Sequence, residues 1–100
     1  MKTIHVIDCT PTVFAKKVTE AIASRSLGKI VNISATDSQI LVKFSKLGSS
    51  EIIYECLASL PAGFKATLKS EKIAFAHRVF RADIEAKLAA VMEKQGAQIN

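Results

Sequence analysis

The sequence predicts one α+β domain over residues 1–100: a ferredoxin-like β-α-β-β-α-β sandwich with a four-stranded antiparallel sheet, plus an additional long C-terminal α-helix. Three observations lead there. Runs with period-two alternation recur over residues 3–8, 29–35, 40–44 and 64–69, the first three of them rich in β-branched residues. Residues 11–26 and 50–60, which lie between those runs, carry apolar side chains at helical spacing, and two split β-α-β units in this order place both helices on one sheet face. Residues 70–95 then sustain an apolar stripe longer than that plan needs. The expected division is a core at 1–69, a terminal helix at 70–95 and a frayed tail at 96–100.

Each element has its own motive. From Thr3 to Asp8, Ile4 and Val6 share one side of a strand and His5 and Ile7 the other. Thr10 or Thr12 can cap a helix whose first turn suits Pro11, and Val13, Phe14, Val18, Ala21 and Ile22 follow at helical spacing until Gly28. Val31, Ile33 and Ala35, the turn Thr36-Asp37-Ser38, and Ile40, Val42 and Phe44 read as a β-hairpin. The stretch SSEIIYECLASLP has the propensity of a strand. Its apolar residues Ile52, Ile53, Cys56, Leu57 and Leu60, with Ser50 as cap and Pro61 as terminator, decide for a helix. Phe64, Ala66 and Leu68 alternate with Lys65, Thr67 and Lys69, a half-buried strand. Ser70 is the expected cap of the last helix, Ile73, Ala76, Phe80, Ile84, Leu88 and Val91 its core stripe, and Gly96 its stop.

Composition narrows the classes of function. With 49% hydrophobic and 23% charged residues the chain can pack an interior and is not compositionally disordered. Cys9 and Cys56 are too few for a disulfide scaffold and fit a reducing compartment. The start MKTIHVIDC lacks the long apolar region of a signal peptide, and no segment reaches the ~20 apolar residues of a membrane span. The expectation is a cytoplasmic protein with no membrane partner. A net charge of +5 favours polyanions through counterion release.

With helices on one face, strand alternation assigns the other face to His5, Ile7, Ile30, Asn32, Ser34, Leu41, Lys43, Ser45, Lys65, Thr67 and Lys69. That face holds no aromatic ring on which a base could stack, so base-specific reading of single strands is disfavoured relative to nonspecific polyanion binding. Lys43, Lys65, Lys69, Lys72, Arg78 and Arg81 are the candidate anion or nucleic-acid contacts. In the last helix, Arg81 and Glu85 also form an i,i+4 pair on a solvated flank. A second apolar line, Phe75, Val79, Ala82, Ala86 and Ala90, gives that helix two sticky sides, so Phe75, Val79, Phe80, Ile84, Leu88 and Val91 are the candidate homodimer or partner interface.

Catalytic chemistry finds no constellation. His5 and His77 have no Cys, His or carboxylate at ligand spacing, so no metal and no cofactor are expected. Cys9, in DCTPT, has no CxxC partner and reads as a small loop residue, and no carboxylate pair suggests acid-base work. LGKIVN at 27–32 resembles the acylphosphatase segment that ends in an active-site asparagine, and VFAK at 13–16 is similar to the segment carrying that family's arginine. The resemblance would cast Asn32 and Lys16 in those roles. Lysine stands where the family has arginine and cannot form its bidentate grip, and DCTPT replaces the glycine-rich phosphate loop, so it implies shared architecture without shared chemistry. The leading expectation is a noncatalytic binding or adaptor protein. A nonspecific nucleic-acid binder is the alternative, and a small acylphosphatase-like phosphate-handling enzyme the second.

Overall fold

In a computed structural model, residues 1–46, 48–59 and 62–100 are described. Strand β1 is Thr3–Ile7, helix α1 Pro11–Ile22, β2 Val31–Ala35, β3 Gln39–Phe44, β4 Ser50–Ala58 and β5 Gly63–Lys72. Helix α2 is Arg81–Lys94 and β6 Ala97–Ile99, and short 3-10 turns cover Ser26–Lys29 and Phe75–His77. The strands form one sheet in the order β2-β3-β4-β5-β1-β6, antiparallel throughout. It curls into a half-barrel.

Alternation decides which face of that sheet is covered. Ile4, Val6, Val31, Ile33, Ile40, Val42, Phe44, Ile52, Tyr54, Cys56, Phe64 and Ala66 are buried and join one core. Their neighbours along each strand point to the other face. Both helices contribute to that core, α1 through Phe14, Ala15, Val18 and Ile22, and α2 through Ile84, Leu88, Val91 and Met92. α1 starts where Thr10 Oγ1 accepts from the Val13 N–H at 3.3 Å with Pro11 in the first turn, so one orphan N–H gains an acceptor and Pro11 has none to satisfy. Gly63, φ +113°, opens β5 against β1, where a Cβ would stand 2.1 Å from the Val6 carbonyl oxygen, a place only glycine can occupy.

The ferredoxin-like plan is overturned: six strands stand where four were expected, and the long terminal helix does not exist. Residues 50–58 form a strand, not a helix. Ile52, Tyr54 and Cys56 are buried while Ile53, Glu55 and Leu57 alternate with them, a period of two that uses both adjacent isoleucines, one on each face. β4 lies between β3 and β5, so its backbone groups are paired on both sides, and its β-branched and aromatic residues suit that place. Leu60 and Pro61, expected as the last apolar position and the stop of a helix, lie outside the described residues.

Residues 70–95 break into three pieces. Ser70 to Lys72 continue β5 opposite Ile53 to Glu51, so Ser70 is a strand residue and caps nothing. A turn follows at Phe75–His77, and α2 begins only at Arg81. The apolar spacing across residues 73–91 reads as one stripe, but ladder pairing of the first residues outweighs it. Ile84, Leu88 and Val91 are core, whereas Phe80 is 56% exposed and Ala76 also faces solvent. At the other end Gly96, φ +97°, stops α2 as a C′ glycine does, and the chain turns back into β6 beside β1, which replaces the expected frayed tail. Ala97 is buried there.

Candidate functional site

Between β5 and α2 the chain makes an elbow at residues 73–80, held from inside by His77. The His77 ring is 5% exposed and is bonded at both nitrogens, Nδ1 to Ser50 Oγ at 2.6 Å and Nε2 to the Lys46 carbonyl at 2.6 Å. A carbonyl only accepts, so Nε2 carries a proton and donates it. Ser50 Oγ accepts from the Ala74 N–H at 2.8 Å and, with the ring neutral, donates its own proton to Nδ1. The Phe44 ring meets the imidazole edge-on at 6.2 Å. Three chain segments, at Lys46, Ser50 and residues 74–77, are thereby tied at one buried point. Among the described residues this network contains no carboxylate that would orient the imidazole.

A single helical turn can aim only part of its residues inward. With His77 committed to the interior, its neighbours face out: Phe75 is 84%, Val79 83% and Phe80 56% exposed. The Arg78 guanidinium lies over the Phe75 ring, 5.7 Å from its centroid. Beside the elbow is a cavity of about 280 Å³ with apolar walls from Ile30, Phe44, Ala76, Phe80 and Ile84, and with Ser45, Lys46, His77 and Asp83 as its polar lining.

The expected interface residues are thus divided. Phe75, Val79 and Phe80 come together on the elbow; Ile84, Leu88 and Val91 lie under α2 in the core. The second apolar line of the expected helix reduces on α2 to Ala82, Ala86 and Ala90, small exposed residues.

The expected cations are also divided. Lys43, Lys65 and Lys69 are on the outer sheet face, Lys72 is at the end of β5, and Arg78 and Arg81 are at the elbow. Lys43 Nζ lies 3.7 Å from Glu51 and Lys69 Nζ 3.9 Å from Glu55. Arg81 forks onto both oxygens of Glu71, with Nη1 to Oε1 at 2.9 Å and Nη2 on Oε2, and its Nε lies 3.6 Å from Glu85. Among the described residues Lys65, Lys72 and Arg78 have no carboxylate within ion-pair distance. Hydrogen bonds from Arg81 hold the Glu71 carboxyl below its ordinary range, and the same bonds raise the guanidinium of Arg81. Reading 50–60 as a helix hid Glu51 and Glu55, since only strand alternation sets them among the lysines.

The residues of the acylphosphatase resemblance are not brought together. Asn32 is exposed on β2, on the face opposite α1, and Lys16 is exposed on α1. Among the described residues no group of three or more His, Cys, Asp or Glu could hold a metal. A wider cavity of about 620 Å³ opens at the start of α1 between Asp8, Cys9, Asp37 and Gly63. The Cys9 thiol bonds the Thr10 carbonyl there at 3.5 Å, and the residue packs partly against the core. Burial pushes the Cys56 thiol up to about 11, so it is an inert core thiol at neutral pH. No helix among the described residues is long and apolar enough to cross a membrane. Comparison with protein-family models, with characterised proteins and with solved structures gives no match to this chain.

Proposed function

We propose that this chain is a noncatalytic binding protein of the cytoplasm that engages a partner macromolecule through the elbow at residues 73–80. One observation carries the reading. Of the six large hydrophobic side chains left exposed among the described residues, three, Phe75, Val79 and Phe80, lie within this elbow, and two of them are over four-fifths exposed. A turn pinned by a buried histidine presents them in a fixed arrangement, and clustered exposed apolar side chains on a rigid support are how interaction sites look before they are occupied. Two free cysteines, one of them buried, support the compartment.

The nucleic-acid reading has less support. Its cations are spread over two regions, and Lys43, Lys69 and Arg81 already face glutamates. A photo-crosslinking residue placed at Val79, and a control at exposed Lys16 on α1, test the proposal in cells. Adducts at position 79 that vanish in the Phe75→Ser protein are expected. Equal labelling at both positions, or labelling of RNA in place of protein, would overturn it.

A further inference from the structure

We infer that the partner docks as an acidic amphipathic segment, with one large apolar side chain in the cavity beside Phe80 and its carboxylates against Lys46 and Arg78. This rests on the elbow being the docking surface and adds the chemistry of what docks there.

Size comes first. The cavity of about 280 Å³ is below the ~300 to 1,000 Å³ usual for cofactors and drug-sized ligands. An apolar cavity of ~150 Å³ already accepts a benzene ring, so this one suits a single Phe, Leu or Trp side chain with part of its backbone. Its walls are Ile30, Phe44, Ala76, Phe80 and Ile84, and the exposed Phe75 and Val79 are the chain neighbours of two of these, Ala76 and Phe80. A segment bearing one anchor and a short apolar flank would cover both.

Charge then selects among occupants. The carboxylates of this region are committed: Glu71 to Arg81, Glu85 to Arg81 and to the Met1 amino group at 3.6 Å, and Asp83, on the cavity wall, to Lys87 Nζ at 2.9 Å. Lys46 lines the cavity and Arg78 covers Phe75, and neither has an ion-pair partner among the described residues. The uncompensated charge is therefore positive, on Lys46 at the cavity and on Arg78, which faces the neighbouring hollow lined by Glu71, Ile73 and Arg81, and it steers an approaching anion. A second copy of this chain is a poorer fit. An isologous contact through the elbow would set Lys46 and Arg78 against the same cations, a like-charge cost with no opposing gain. RNA is poorer too, since of the elbow's two exposed rings Arg78 already occupies a face of Phe75 and Phe80 walls the cavity.

The test is a display selection of random dodecapeptides on the immobilised intact chain, followed by fluorescence anisotropy with synthetic copies of the enriched peptides. Lys46 and Arg78 are exposed and in no ion pair, so K46E and R78E should fold, which circular dichroism checks. Enriched peptides should combine Phe, Leu or Trp with neighbouring Asp or Glu. Each charge reversal should weaken them by roughly tenfold. Exchanging the peptide's acids for lysines should restore binding to R78E. Peptides that need Phe75 but are neutral or basic, or ignore K46E and R78E, would overturn this chemistry and leave the elbow as the docking surface. A dimer in sedimentation that Phe75→Ser dissociates, or poly(U) RNA that competes at the elbow, would overturn the acidic segment as occupant. If no selected peptide loses affinity on Phe75→Ser or Val79→Ser, the elbow itself is the wrong surface.

Discussion

His77 shows how one buried polar side chain can place several exposed apolar ones. Both of its nitrogens and the Ser50 hydroxyl are satisfied inside the protein, which makes the cost of burying them small and the cost of breaking the set large. Ser50→Ala leaves the Ala74 N–H and His77 Nδ1 without that oxygen, and should lower stability by about 1 to 3 kcal/mol in chemical denaturation. A loss near zero would show that water replaces the hydroxyl and that the elbow is held by other contacts. Glu71 supports the other side of the elbow through Arg81. Its folded carboxyl lies below the ordinary 4.5, so the pair stabilises above the unfolded value and the contribution disappears as pH falls through the folded value. Melting temperature followed from pH 7 downward should therefore fall less steeply for Glu71→Gln than for the wild type in the acid limb. Both groups are partly solvated, which keeps this effect modest.

β4 and the elbow are the two elements in which local pattern and final structure part. A nine-residue segment with Ile52, Ile53, Cys56 and Leu57 satisfies a helical stripe and a two-faced strand equally well. What separates them is the presence of β3 and β5 on either side, which pair the backbone of β4 and bury Tyr54. The same cause shortens the last helix, since β4 draws Ser70 to Lys72 into its ladder. β1 was legible from its alternation, the start of α1 from Thr10 and Pro11, and the hairpin of β2 and β3 from Thr36-Asp37-Ser38, whereas α1 ends at Ile22 and not at the expected Ser26. The break before α2 has a direct check. Leu88→Ala, which empties a fully buried site, should cost about 2 to 5 kcal/mol. Phe80→Ala, at a site more than half exposed, should cost under about 1 kcal/mol. Equal losses would restore the continuous helix.

Over the whole molecule, one curled sheet separates two surfaces. Its covered face holds a single core shared with both helices. Its outer face is a mixed-charge field in which Glu51 and Glu55 sit among Lys43, Lys69 and Lys72, with Glu51 opposite both Lys43 and Lys72 in register. With Lys65 on the same face, these two glutamates offset about half of its lysine charge and leave it only weakly basic. Removing the neutralisation should create a basic platform: the Glu51→Lys, Glu55→Lys double variant is expected to elute from heparin at clearly higher salt than the wild type. Unchanged elution would locate polyanion binding elsewhere. The candidate site was half legible in the same sense. Phe75, Val79, Arg78 and Phe80 stood out as apolar or cationic residues, but a helix spanning 70–95 would have spread them along a rod.

Side-chain periodicity alone determined that this is one packed α+β chain, which alternating residues enter the core from β1, β2, β3 and β5, and where α1 begins. These are decided by the interactions of residues a few positions apart. Only the tertiary structure decided the strand at 50–58, the sixth strand, the break before α2 and the elbow. Each of those depends on partners outside the local segment, such as the β5 backbone for β4 and the Ser50 hydroxyl for His77, whose hydrogen bonds outweigh a local preference worth less than about 1 kcal/mol per residue.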